Sequence, residues 1–173
     1  VSALLVRSDG SGGAEIFTGG VENKRGVLRR FTYSAAAGFA AGAVRDIGDF
    51  RDGAINALAA DGSALYAGGE IGADRLNLGA AGRAAVAAGE GFVGRLDAGL
   101  VSTSLDRTSY LGSAQQDAVK GLAIVDGDVY AAGVAGGVLA GEGAAGVASS
   151  FLARLDENGE AGWVRSFSSA GGS

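Results

Sequence analysis

Short apolar runs alternate with Gly- and Asp-rich punctuation along the whole chain. Residues 55–60, Ile55-Asn56-Ala57-Leu58-Ala59-Ala60, stop at Asp61-Gly62-Ser63 and resume as Leu65-Tyr66-Ala67, closed by Gly68-Gly69. Runs of this length between turn residues predict strands, and Asp-Gly supplies the positive φ that a tight hairpin needs. A long Gly/Ala-rich connection, 70–91, leads to a third predicted strand at 92–96, which turns at Asp97-Ala98-Gly99. A fourth is predicted at 108–111, ended by Gly112.

The same order returns. Leu65-Tyr66-Ala67-Gly68-Gly69 is echoed by Val129-Tyr130-Ala131-Ala132-Gly133 and by Ile16-Phe17-Thr18-Gly19-Gly20. Each copy is followed by another strand-like run, at 27–31, 92–96 and 151–155. In the third copy the hairpin spans 119–125 and 129–132 around Asp126-Gly127. The connection there is 133–150, and the last two strands lie at 151–155 and 163–167, with a turn at 156–159. The first copy is more divergent, with strands expected at 3–6, 15–18, 27–33 and 44–48 and a turn at Asp9-Gly10. Residues 84–88 could form one helical turn within a loop. Self-similarity at this period marks repeated supersecondary units. We therefore expect an all-β chain of three four-stranded units, 1–54, 55–118 and 119–173, better read as β-propeller blades than as a sandwich.

Composition narrows the function classes. With 47% hydrophobic residues the chain can form a real core, and its 33 Gly with no Pro suit many tight turns. The net charge is −5 and the basic residues are dispersed, which argues against a nucleic-acid surface. Arg25, Arg29 and Arg30 form a small basic group, read as a solvated strand edge. Cys and His are absent, so disulfides, thiolate metal sites and cysteine nucleophiles are excluded, together with the commonest neutral-pH base. No apolar run is long enough to span a membrane as a helix. The chain begins at Val, which we read as a processed protein or a piece of a longer one.

Several motifs resemble the bacterial SBBP-type seven-bladed β-propeller repeat family. Phe92-Val93-Gly94-Arg95-Leu96-Asp97 is similar to its first strand motif, and Thr108-Ser109-Tyr110-Leu111-Gly112 to the second. Residues 117–124, Asp117-Ala118-Val119-Lys120-Gly121-Leu122-Ala123-Ile124, match the acidic turn and third motif. Asp128-Val129-Tyr130-Ala131-Ala132-Gly133 matches the fourth. The resemblance implies propeller blades, yet closed rings typically need about four to eight of them. The chain is then either part of a larger propeller, the favoured reading, or closes a ring by self-association.

By analogy with propellers, the connections 70–91 and 133–150 should share one rim with the turns at 46–53 and 112–117. Loops on a rigid scaffold are where binding residues collect. Asp46, Asp49 and Asp52 lie close together, and Asp52 aligns with Asp117. Asp49, Asp52 and Asp117 could contribute to a Ca²⁺ site, but holding the interblade turn through backbone amides is the preferred role for Asp52 and Asp117. Glu70, Asp74, Arg75, Asn77, Arg83 and Glu90, with Glu142 in the third unit, are candidates for contacting a protein partner. Tyr66 and Tyr130 share a repeat position and are read as blade core, as is Trp163. Gly68-Gly69 lacks the Lys-Ser/Thr and following helix of a nucleotide loop.

The expectation is a non-catalytic structural or protein-binding segment of an exported or cell-surface bacterial protein, with an appendage as one candidate location. Its partner would be a protein or further blades, with no cofactor required. Two alternatives stay open: a carbohydrate-binding propeller using Trp163, Tyr66 or Tyr130, and a hydrolase using rim carboxylates such as Asp52 and Glu90.

Overall fold

A computed structural model of the chain describes residues 1–72, 76–79, 81–83, 89–139 and 149–168. It is all-β. The first sheet is an antiparallel meander of β1 (Ala3–Ser8), β2 (Ala14–Glu22), β3 (Arg25–Ser34) and β4 (Gly38–Asp49). The middle sheet runs β5 (Ala54–Asp61), β6 (Ala64–Ile71), β8 (Glu90–Asp97) and β9 (Arg107–Leu111). A short strand β7 (Ala81–Arg83) pairs parallel to β9 at its edge. The third sheet repeats the meander with β10 (Asp117–Val125), β11 (Asp128–Ala135), β12 (Ser149–Leu155) and β13 (Ala161–Ser168).

Each expected strand is present, but β7 was not expected. Its Gly/Ala surroundings carry no strand signal; it covers the otherwise bare edge of β9. The helical turn expected at 84–88 lies outside the described residues.

Turn chemistry sets the hairpins. Asp126 (φ 52°) and Gly127 (φ 83°) join β10 to β11 with the positive φ angles that match strand twist. Asn23 (φ 50°) and Lys24 (φ 67°) do the same between β2 and β3, which run longer than the apolar pattern indicates. The open hairpin end at 9–13 is held by Asp9, whose Oδ1 accepts the Ser11 and Gly13 amides at 2.8 and 2.9 Å.

The sheets stack through their leading strands: β5 packs on β1 and β2 on one side and on β10 on the other. Ser2 Oγ donates to Ile55 O at 2.6 Å, and Asn56 Nδ2 donates to Val119 O at 2.9 Å, tying these strands together. Side chains alternate between faces along each strand. Leu65, Phe92 and Leu96 therefore join Phe17, Leu28 and Phe50 in one core. Tyr66 and Val93 join Val119, Val129 and Phe151 in the other. Phe50 meets Phe92 edge-on at 5.4 Å.

The last glycine of the second and third repeat motifs has a steric reason. A methyl added at Gly69 would lie 1.9 Å from Ala54 O, and one at Gly133 would lie 2.0 Å from Ala118 O. Both glycines sit opposite the start of the preceding strand, Gly69 facing Ile55 and Gly133 facing Val119, where the chains approach too closely for a side chain.

Among the described residues, nothing covers the outer faces of the first and third sheets. Leu4, Val6, Tyr33, Phe39 and Val44 are exposed on the first sheet, where Phe31 and Phe39 stack at 5.0 Å. Val134 and Phe167 are exposed on the third. Tyr66 is only 5% exposed because the third sheet covers it. Its repeat equivalent Tyr130 corrects the core reading: it is half-buried on the uncovered side, with Trp163 edge-on at 6.2 Å.

Candidate functional site

Segments distant in the chain come together at one end of the middle sheet, while 73–75, 80, 84–88 and 140–148 of the expected rim lie outside the described residues. The connection after β6 folds back over the turn after β4: Gly72 N donates to Phe50 O at 3.1 Å and Asn77 N to Ile47 O at 2.8 Å. Its far end meets the turn after β9, where Asp117 N donates to Gly89 O at 2.8 Å. Between them lies a cleft of about 210 Å³ lined by Asp52, Glu70 and Gln116 and by residues 53, 71, 72 and 89.

The candidate residues take different positions around this cleft. Asp52 is exposed at its wall. Asp49 accepts the Arg51 amide through Oδ1 at 3.0 Å and stabilises its own turn. Asp117, 1% exposed, accepts Ser113 N at 2.6 Å, the Ser113 hydroxyl at 2.9 Å and Gly136 N at 3.0 Å. Those donors use both carboxylate oxygens to fasten the turn after β9 to the end of β11. Among the described residues no group of three or more Asp, Glu, His or Cys could hold a metal ion.

Glu70 is half-exposed and pairs with Lys120 of β10 at 3.3 Å. Asn77 is exposed. Glu90, expected to face a partner from a solvated loop, is instead the first residue of β8 and 0% exposed. The strand begins earlier than its apolar run because the backbone pairs from Glu90 with Ile71 onward. Of Arg83 only the backbone, in β7, is described. Asp74, Arg75 and Glu142 lie outside the described residues. The basic group near the start is neutralised: Arg25 pairs with Asp46, Arg29 with Glu22 at 2.8 Å and Arg30 with Glu15 at 2.5 Å.

One polar centre has no local sequence signal. Arg45 of β4 reaches the loop before β9, pairs with the buried Asp106 and donates to Val101 O at 2.9 Å. Asp106 also accepts the Thr103 amide and hydroxyl, both at 3.2 Å. Burial pushes the Asp106 carboxyl up, but the Arg45 guanidinium and the Thr103 donors outweigh it and hold it below its usual range. Glu15 behaves likewise, with burial opposed by Arg30 and Arg7. Both are structural fasteners between or within sheets.

Among the described residues no helix is long and apolar enough to cross a membrane. No family model matches the chain. It is similar to a protein named regulatory protein FlaEY of Caulobacter vibrioides, with 30% identity over 169 residues. The match covers 83% of this chain and 18% of that protein, so the chain spans less than a fifth of that relative's length.

Proposed function

We propose that the chain is a non-catalytic β-propeller segment of a longer exported or cell-surface protein, and that it works by presenting sheet faces and a rim to protein surfaces. The observation that carries this is the unequal fate of one repeat position. Tyr66 is buried by the third sheet, whereas no sheet among the described residues covers Tyr130. Equivalent faces with equivalent residues call for equivalent cover. The uncovered side of the third sheet is therefore a seat for a further sheet of this repeat. The uncovered side of the first sheet, with Leu4, Val6 and Phe39, is the complementary seat for a preceding one.

The stacking through leading strands and the resemblance to SBBP-type repeats support the same reading. A FlaEY-like regulatory protein several times longer than the chain is consistent with a module that acts by binding. The burial of Tyr66 and Glu90 weakens both alternatives, since neither side chain is available to a sugar or a scissile bond.

Trp163 is the sole tryptophan and lies on the uncovered face, so its fluorescence reports cover directly. As the chain concentration rises, its emission should shift to the blue and acrylamide quenching should fall. Phe167→Lys should prevent both changes. Emission independent of concentration, with quenching equal in the wild type and the variant, would remove the proposal.

A further inference from the structure

The internal repeat exposes one missing charge. Glu15, Ala64 and Asp128 occupy the same place, just before the apolar pair of each second strand, and Arg30, Arg95 and Arg154 share the facing place in each third strand. In the first sheet Arg30 pairs with Glu15 at 2.5 Å, and in the third Arg154 pairs with Asp128 at 2.6 Å. In the middle sheet Ala64 has no carboxylate to give, and the ion pairs of the described residues do not include Arg95.

A second arginine then adds to the imbalance. Arg107 stands directly opposite Arg95 across β8 and β9, where the third sheet has Trp163 opposite Arg154. Like charges in that register repel. Arg107 has no ion pair among the described residues either. Its Nη1 donates to the carbonyls of Ser104 and Asp106 at 2.8 and 3.1 Å, and Arg95 Nη1 to that of Leu105 at 2.9 Å. A guanidinium has five N–H donors, so both keep unused ones. Arg95 Nε is buried with no hydrogen-bond partner.

The two arginines line a cleft of about 200 Å³ between the middle and third sheets, completed by Leu105, Glu157 and Asn158. The third sheet's loop is fixed over it, since Ser109 Oγ donates to Gly159 O at 2.7 Å. Glu157 is exposed on that loop, and the ion pairs of the described residues do not join it to either arginine.

We propose that this cleft binds one oxyanion group, a carboxylate or a phosphate, which takes the place of the carboxylate that the other two repeats carry in their own sequence. Two guanidiniums on one face offer the paired N–H geometry that such groups accept. The site lies between two described sheets and does not depend on how the outer faces are covered.

The test follows the arginine Nε–H signals by ¹H–¹⁵N NMR while the full chain is titrated with inorganic phosphate or, separately, with acetate, at constant chloride. A saturable shift at Arg95 and Arg107 is expected, and the tighter of the two anions identifies the ligand chemistry. Ala64→Asp restores the internal carboxylate and should weaken binding at least about tenfold, as should Arg107→Gln, which keeps the buried Ala64 intact. The proposal is overturned if the wild type shows no saturable shift or if Arg107→Gln binds as the wild type does. Binding that appears only after Glu157→Gln would also overturn it, because Glu157 would then be the resident counterion.

Discussion

Gly133 and Gly69 show how much of the repeat is set by single atoms. Each faces a carbonyl oxygen that a methyl would strike at about half the normal contact distance, and backbone cannot yield as a flexible side chain does. Gly133→Ala should lower stability by about 2 kcal/mol in urea denaturation, within the range for overpacked sites. The Arg45–Asp106 pair makes a parallel case in electrostatics. Asp106→Asn leaves a buried guanidinium without its countercharge and should cost about 3 kcal/mol. Glu15, Asp46 and Asp106 all have folded carboxyl values below their ordinary ones. Their contribution is complete above the unfolded carboxyl range near pH ~4 and is lost as pH falls through the lowered folded values. Thermal melts should therefore be flat from neutral pH down to that range and fall below it, with Asp106→Asn showing a shallower fall. At this scale the sequence reveals Asp-Gly turns and the amide-binding potential of Asp117. It does not reveal Arg45 with Asp106, because a contact between residues so far apart in the chain leaves no periodic trace.

At the scale of elements, the twelve meander strands follow from short apolar runs between turn residues, because a half-buried strand must alternate and a hairpin must turn. The run lengths were harder to read. β2 and β3 extend through Arg25 and Glu22 because backbone pairing continues past the last apolar residue until the Asn23-Lys24 turn. Asn23 is the sign that a positive-φ turn was available there. Lys24 at φ 67° is in the left-handed region, which costs a non-glycine residue about 1 kcal/mol or more. Lys24→Gly should raise the urea midpoint, with a gain of about 1 kcal/mol and an unchanged denaturant slope. β7 could not be foreseen because Ala81-Gly82-Arg83 carries no apolar alternation. The rim was foreseeable in outline, since meander geometry puts those connections at one end. Which of its side chains would be buried was not, as Glu90 illustrates.

At the scale of the molecule, the middle sheet is the only one of the three described with both faces covered, and the end sheets keep apolar residues in water. Under the proposed function such faces are heterologous: the open side of the third sheet would meet the open side of the first, not its own copy. Association through them joins molecules head to tail and either closes a ring or grows a chain. The central claim is that these two faces are contact surfaces for sheets of this repeat. Sedimentation of the isolated chain over a wide concentration range tests it most directly. The account predicts a mass that rises with concentration and returns to that of a single 16.8 kDa chain in Val6→Lys or Phe167→Lys. A wild-type chain that stays a single copy throughout, with both variants indistinguishable from it, would contradict the account.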